Sequence, residues 1–356
     1  MTGRGIDQIL AHPSPPDLHE PYVRDAREYV RLAEMVSGPI PRGAGPAYPW
    51  GDALALWDRI APAVRIVNLE TSVTRSDAHD PRKSIHYRMN PANIGCLKAA
   101  RCDVCVLANN HVLDYGREGL DETLTALARE GITTAGAGRD EEEAVRPAIA
   151  ALAGGRRVIV AACAHDDSGV PRDWAARGER SGIHLLPELS ESAAAAVAAR
   201  VATVRRGGDV AVISIHWGDN WGYGVPPAHT AFAHWLIDRG VDVVHGHSSH
   251  HPRPVEVYRH KLILYGCGDF LNDYEGIPGY EHYRSDLVLM YFPVLDPASA
   301  RLSRLRLIPM RISGLRLRRA AMEDARWMCD TLQRVSEPLD ARLTVIGDGS
   351  LELVPR

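Results

Sequence analysis

Read for hydrophobic and polar positions alone, the chain changes character at residue 64. From there a three-part unit recurs: a short apolar, β-branched run, a cluster of polar residues, then a stretch with helical periodicity. Runs at 64–67, 103–107, 209–214, 241–244 and 261–265 predict buried strands. Each is followed at once by side chains able to do chemistry: Asn68 and Glu70; Asn109, Asn110 and His111; His216, Trp217 and Asp219; His245, His247, His250 and His251; and Asp269. The stretches 91–100, 119–130, 190–206 and 227–239 predict helices with mixed faces. Strands alternating with helices imply an α/β fold around a largely parallel sheet. Such sheets bind ligands outside the carboxyl ends of their strands, so five separate positions predict one site.

The flanks differ. Residues 1–62 are rich in proline, glycine and charge, with one amphipathic helix around 22–35, and read as an excursion packed onto a domain. After residue 285 the texture turns to strand-like alternation at 286–294 and 302–317, then a helix at 322–335 and a polar tail. This predicts that 286–356 is an antiparallel extension closing a second sheet onto the first. With no repeat and no low-complexity linker, the expectation is a single domain over 1–356.

Composition narrows the partners. Of 356 residues 45% are hydrophobic and the net charge is -4 with both signs interspersed, so neither a nucleic-acid footprint nor a polybasic membrane patch is present. A small-molecule or peptide substrate fits better. No apolar run is long enough to span a bilayer and no leader is visible, so the chain as given reads as cytoplasmic. Cys102, Cys105, Cys163 and Cys267 sit in apolar runs and read as reduced core thiols. Cys102 and Cys105, three apart in a predicted strand, are expected on opposite faces, with no metal or redox role.

Four histidines within seven residues, 245–251, are best rationalised if neutral rings face a common cation. Gly246 is expected to let the backbone turn between His245 and His247, and Pro252 to stop the segment. Glu70, Asn110, His216, His247 and His250 then form a mixed oxygen and nitrogen ligand set for a divalent metal, one or two ions. Mn, Fe or Zn suits it, with Ca as an alternative if waters complete the shell. No thiolate lies in these loops, so the site reads as open, with a metal-bound water or a polarised substrate oxygen. His111 is a candidate general acid or base, oriented by Asp114. Trp217, Trp221 and Tyr223 are candidates for an aromatic substrate wall, with simple packing as the alternative. His86 is a weaker substrate-binding candidate, with a structural role as its alternative.

In this order, Asn68-Leu69-Glu70-Thr71, Ala108-Asn109-Asn110-His111-Val112-Leu113-Asp114-Tyr115-Gly116, Ile215-His216-Trp217-Gly218, Gly246-His247-Ser248-Ser249-His250 and Tyr265-Gly266-Cys267-Gly268-Asp269-Phe270 resemble the CapA family of poly-γ-glutamate capsule synthesis proteins. The resemblance covers roughly residues 1–280. It implies a calcineurin-like metallophosphatase sandwich, two mixed β-sheets flanked by helices, with a one- or two-metal centre at the sheet edge. Glu70 stands where that fold supplies a bridging aspartate, Asn110 and His216 match ligands, and His247 and His250 match the Gly-His-x-His pair with one residue inserted. His111 matches the histidine that protonates a leaving group.

Two departures stand out. The family opens with a strand ending in Gly-Asp-Val-Met, and Met1 falls where that methionine would be. The expectation is that the first strand and its metal-binding aspartate are missing, through a late start or a crippled first metal site, which leaves export or anchoring open. The family's Gly-Asn-Phe appears as Gly268-Asp269-Phe270, and the added carboxylate of Asp269 is a candidate base or an influence on metal choice. Three functions follow: a metal-dependent hydrolase or transferase of the phosphoesterase type linked to capsule synthesis; a metal-dependent peptide epimerase, as among relatives in lasso-peptide pathways; and a non-catalytic capsule assembly protein.

Overall fold

The computed structural model describes residues 1–339, 341–353 and 355. Its largest sheet is mixed and seven-stranded. Val210–His216 lies parallel between Arg157–His165 on one side and Val243–His247 on the other, and Lys261–Leu264 follows beyond Val243–His247. Period-two alternation sorts its side chains. Ile213, Ile215 and Val244 face the helices Glu191–Ala202 and Pro227–Asp238, while Val212 and Val243 face the main core. Ser190 caps the first of these helices by accepting from the Ala193 amide at 3.2 Å.

Ile66–Asn68, Val104–Val106 and Thr133–Ala135 form a three-stranded parallel sheet with Ile66–Asn68 at its edge. The expected helix at 91–100 is split into a short turn at Pro91–Asn93, capped by Asn90, and Gly95–Ala99. Helix Gly116–Arg129 starts three residues earlier than its apolar pattern suggests, with Gly116 at φ +67° making the entry. Cys102 falls before the Val104–Val106 strand, so alternation does not separate it from Cys105. The Cys105 thiol is instead pushed up by a hydrogen bond with Cys102 and by burial, which corrects the opposite-face expectation.

The extension at 286–356, of which residues 340, 354 and 356 lie outside the described ones, builds an antiparallel sheet of its own. Leu287–Leu295 and Leu302–Ile312 pair as a long hairpin, joined by Leu317–Arg319, Leu343–Val345 and Leu351–Leu353. The architecture is therefore mixed α/β with three principal sheets, not two: the hairpin pairs its ladder internally, and it meets the seven-stranded sheet where the Leu302 amide donates to the His260 carbonyl at 2.8 Å. Leu305, Leu307, Ile308 and Met310 share the core cluster that also contains Val104, Val106, Val160 and Val212.

The amino-terminal 62 residues carry more helix than proline and glycine suggest: Arg4–Ile9, Arg27–Ser37 and Asp52–Ile60. The middle one begins at Arg27, five residues later than expected, and Tyr22 is 88% exposed ahead of it. Arg4, at φ +46°, is buried and pins this segment down: its guanidinium donates to Asp273 at 3.0 and 2.6 Å and to Glu20 at 2.8 Å, and lies 3.8 Å over the Tyr29 ring. No helix among the described residues is long and apolar enough to cross a membrane.

Candidate metal and proton-transfer site

The register of the seven-stranded sheet brings the histidines together. Ser214 pairs with His245 and His216 with His247, so the inner face, apolar at Val212 and Val243, turns polar towards the carboxyl ends of both strands. His216 Nδ1 lies 2.9 Å from His247 Nδ1, and Ser214 Oγ lies 2.9 Å from both His247 Nε2 and His245 Nδ1. His245 is thus part of the strand rather than a loop residue. Gly246 makes no turn there either. A Cβ on it would stand 2.6 Å from the Leu264 carbonyl oxygen, 2.7 Å from that of Tyr265 and 2.8 Å from Trp217 Nε1, so glycine is required for close approach. The turn comes at Ser248, held at φ +122° by its hydroxyl on the Gly218 carbonyl at 2.9 Å.

Asn109 ties the loops of the smaller sheet to each other. Its amide donates to Asn68 Oδ1 at 2.9 Å and to the Leu69 carbonyl at 3.0 Å, and its Oδ1 accepts from the His111 amide at 3.1 Å. Asn68 in turn donates to Glu70 Oε2 at 2.8 Å. Burial pushes the Glu70 carboxyl up to about 7, with Asp269 adding to the rise and His250 opposing it. His111 Nδ1 donates to Asp114 Oδ2 at 2.7 Å, and Asp114 also accepts from Lys83 Nζ and from the Tyr87 amide. Burial lowers the His111 imidazole to about 4; Asp114 pulls it up, and Lys83, 3.2 Å from Nδ1, pushes it down.

A third set comes from the loops after Val243–His247 and Lys261–Leu264. His250 Nδ1 lies 3.2 Å from both Asp269 oxygens, and Asn272 donates to Asp269 at 2.9 Å. Burial lowers His250, but Asp269 and then Glu70 carry it above its ordinary value. The three sets feel one another: His111 and His250 both depress His216, after burial, its largest cause. The turn after Arg157–His165 touches two of the sets. Ser168 Oγ donates to the His216 carbonyl at 3.3 Å, and a Cβ on Gly169 would lie 3.7 Å from the Asn110 amide nitrogen.

Whether these residues suit a metal turns on their unpaired atoms. Asn110 Oδ1 and His216 Nε2 are both buried without a hydrogen-bond partner, each a deficit of about 1–3 kcal/mol unless something else engages it. An amide oxygen and an imidazole nitrogen are both good donors to a divalent cation. Among the described residues no three His, Cys, Asp or Glu side chains converge at ion-holding distance. His216 and His247 instead meet through their Nδ1 atoms, 2.9 Å apart. The donor chemistry fits a divalent ion, and closure around it requires those rings to part.

The remaining candidates separate. Trp217 is 1% exposed, stacked on His229 and near Phe232, with Nε1 donating to the Tyr265 carbonyl at 3.0 Å. It is core, not substrate wall, because its position on Ile215-His216-Trp217 sends it to the helix-covered face. Trp221 and Tyr223 are half-buried beside the site: Trp221 lies 5.4 Å from the His250 ring and stacks on Tyr280 at 3.9 Å, and Tyr223 meets His251 and Tyr283. His86 does not join the cluster. Its Nε2 bonds the Asp80 carbonyl at 2.8 Å and its ring packs among His19, His79 and Tyr115.

Several participants carry no signal in the pattern reading. Lys83 lies in an irregular loop, and Tyr280 and Tyr283 lie far along the chain from Trp221. The strand Arg157–His165, central to the sheet, ends in Asp166-Asp167, which fits the recurrent unit and was the legible clue. Asp167 accepts from His229 at 2.7 Å and from the Gly218 amide at 2.9 Å, fixing the loop after His216.

The molecule is thus a mixed α/β protein whose polar centre is assembled from loops at the carboxyl ends of parallel strands. Residues 1–274 match the family described as Bacterial capsule synthesis protein PGA_cap, and the chain belongs to that family. It is 50% identical over 356 residues to a probable polyglutamine synthesis accessory protein of Mycobacterium tuberculosis, covering 100% of this chain and 94% of that protein. A PGA biosynthesis protein CapA of Bacillus subtilis is 27% identical over 232 residues, 63% of this chain and 56% of that one. A capsule biosynthesis protein CapA of Bacillus anthracis is 26% identical over 192 residues, 54% and 45% respectively.

Proposed function

We propose that this chain is a single-domain, metal-dependent enzyme of the calcineurin-like metallophosphoesterase fold, a hydrolase or transferase serving poly-γ-glutamate or capsule synthesis. The observation that carries the reading is the pair of orphaned buried atoms, Asn110 Oδ1 and His216 Nε2, in a cluster with the oriented His111–Asp114 pair. Asn110, His216 and His247 would hold one divalent ion, with Glu70 shared towards His250 and Asp269. Such an ion, when bound, polarises a substrate oxygen and makes water a better nucleophile. Asp114 keeps hydrogen on His111 Nδ1, so Nε2 exchanges the proton with the leaving group. Trp221, with Tyr280 and Tyr283 around it, borders His250 and supplies an apolar wall for a substrate.

The names of the relatives favour a second reading, an accessory role in polymer assembly without turnover. The epimerase reading has no observation of its own. One experiment separates all three: purified protein, loaded with Mn or Zn, is given a chromogenic phosphodiester and, separately, a model peptide in deuterated water. Ester cleavage supports the proposal, deuterium at Cα without cleavage supports epimerisation, and neither, with the metal bound, leaves the accessory role.

A further inference from the structure

Two residues outside the ligand set, the buried Ser214 and the half-buried His245, form with His247 and His216 one hydrogen-bonded chain. Its links are His245 Nδ1 to Ser214 Oγ, Ser214 Oγ to His247 Nε2, and His247 Nδ1 to His216 Nδ1, each 2.9 Å. At the far end stands the unpartnered His216 Nε2. The geometry is dictated by the sheet, because Ser214 and His216 lie two apart on one strand and face His245 and His247 across the ladder.

Hydrogens can be placed on this chain in only two ways. A neutral imidazole carries one N–H, and a hydroxyl donates once while accepting from its other neighbour. In the first arrangement His216 Nδ1–H donates to His247 Nδ1, His247 Nε2–H donates to Ser214 Oγ, and the Ser214 hydroxyl donates to His245 Nδ1. In the second every arrow reverses. The two differ in what they leave at the site. The first leaves both His216 Nε2 and His247 Nδ1 without hydrogen, so each could bind an ion. The second puts hydrogen on both, where neither can be a ligand and His216 Nε2–H has nothing to donate to.

We propose that Ser214 and His245 are positioning residues that fix the first arrangement, setting the tautomers of His247 and His216 so that both present bare nitrogens. The inference rests on the metal reading above for its purpose but not for its test. Ser214 is the decisive member, since its single hydroxyl hydrogen links two imidazoles that cannot otherwise reach each other's state. The hydrogen bond made by one ring nitrogen decides which form the other takes.

The test is read on metal-free, histidine-labelled protein, where long-range proton–nitrogen correlation reports which ring nitrogen carries hydrogen. Wild type is expected to show hydrogen on His216 Nδ1 and His247 Nε2. Ser214→Ala is expected to mix the tautomers of both rings and to weaken Zn or Mn binding by about 10–100-fold. Ser214→Thr, which keeps the hydroxyl, is expected to restore both. His245→Phe provides a second perturbation should Ser214→Ala fold poorly. Hydrogen on His247 Nδ1 in wild type, or tautomers unmoved in the variants, overturns the proposal. Tautomers that follow Ser214 in a protein that binds no metal sustain the positioning role and overturn the metal reading alone.

Discussion

Oδ2 of Asp114 lies 2.7 Å from Nδ1 of His111, and the same carboxylate takes the Tyr87 amide at 2.7 Å and the Lys83 ammonium. A carboxylate only accepts, so the pair has one tautomer available to it. Asp114→Asn is expected to cut turnover by about 10²–10⁴-fold while metal content stays near wild type. It also leaves Lys83 facing a neutral group in a buried setting and is expected to cost about 3 kcal/mol of stability. Rate, metal content and urea midpoint from one preparation check all three; metal lost in parallel with rate would make the pair a ligand scaffold.

Acid is expected to unfold the metal-free protein early. Burial lowers His111, His245 and His251 to about 4, and His216 and His247 well below the ordinary value. Between about 6.5 and 4 the unfolded chain therefore binds more protons than the native one, so stability falls as pH falls through that window. His250 and His165 are raised and work the other way: what they add is present at low pH and lost as pH rises through their native values. His19 and His184 are lowered as well, and the raised carboxyls of Glu70, Asp7 and Asp121 join the opposing side; the seven lowered rings, most of them deeply buried, still give a net loss on acidification, about 1.4 kcal/mol per pH unit for each extra proton. Urea midpoints across the window check it, and a midpoint that rises towards acid contradicts it.

Gly246→Ala is expected to be severe despite its small size. The three atoms a Cβ would meet at 2.6–2.8 Å include two backbone carbonyl oxygens of the neighbouring strand. Relief requires moving the Lys261–Leu264 strand or the histidines themselves, for about 2–4 kcal/mol. Denaturation of the variant measures it; a loss under about 0.5 kcal/mol, the scale of an ordinary surface change, would refute the close approach.

Trp217 and Trp221 are expected to respond oppositely. Trp217→Ala empties a fully buried site and should cost about 3–5 kcal/mol. Trp221→Ala is half-exposed and should change stability little while raising KM for whichever substrate is turned over. Thermal melts and saturation kinetics on both variants distinguish packing from recognition.

The strand ends were legible because a buried parallel strand must be apolar until it reaches the loop, so any polar cluster there advertises itself. Glu70, Asn110, His111, His216, His247 and His250 are singled out this way as candidates, and the strands they follow lie within three residues of the predicted bounds. What the pattern could not carry is pairing at long range. Lys83 finds Asp114 across an irregular loop, and no periodicity marks such a contact. The apolar run ends at Val244 and leaves His245 outside the predicted strand; cross-strand pairing with Ser214 carries the strand through it. Trp217 and Trp221 are alike in sequence texture, and only the face on which each falls tells core from rim.

Arg4 and Asp273 are separated by 269 positions, yet the salt link between them secures the loop whose next residue, Tyr274, packs edge-on against His250 at 5.2 Å. A nascent chain cannot complete this corner until residue 273 has emerged. Closure of so large a loop is slow compared with forming local hairpins and helices. The chemistry-bearing corner is therefore expected to mature after the sheets that support it, with the opening residues waiting longest for their partners.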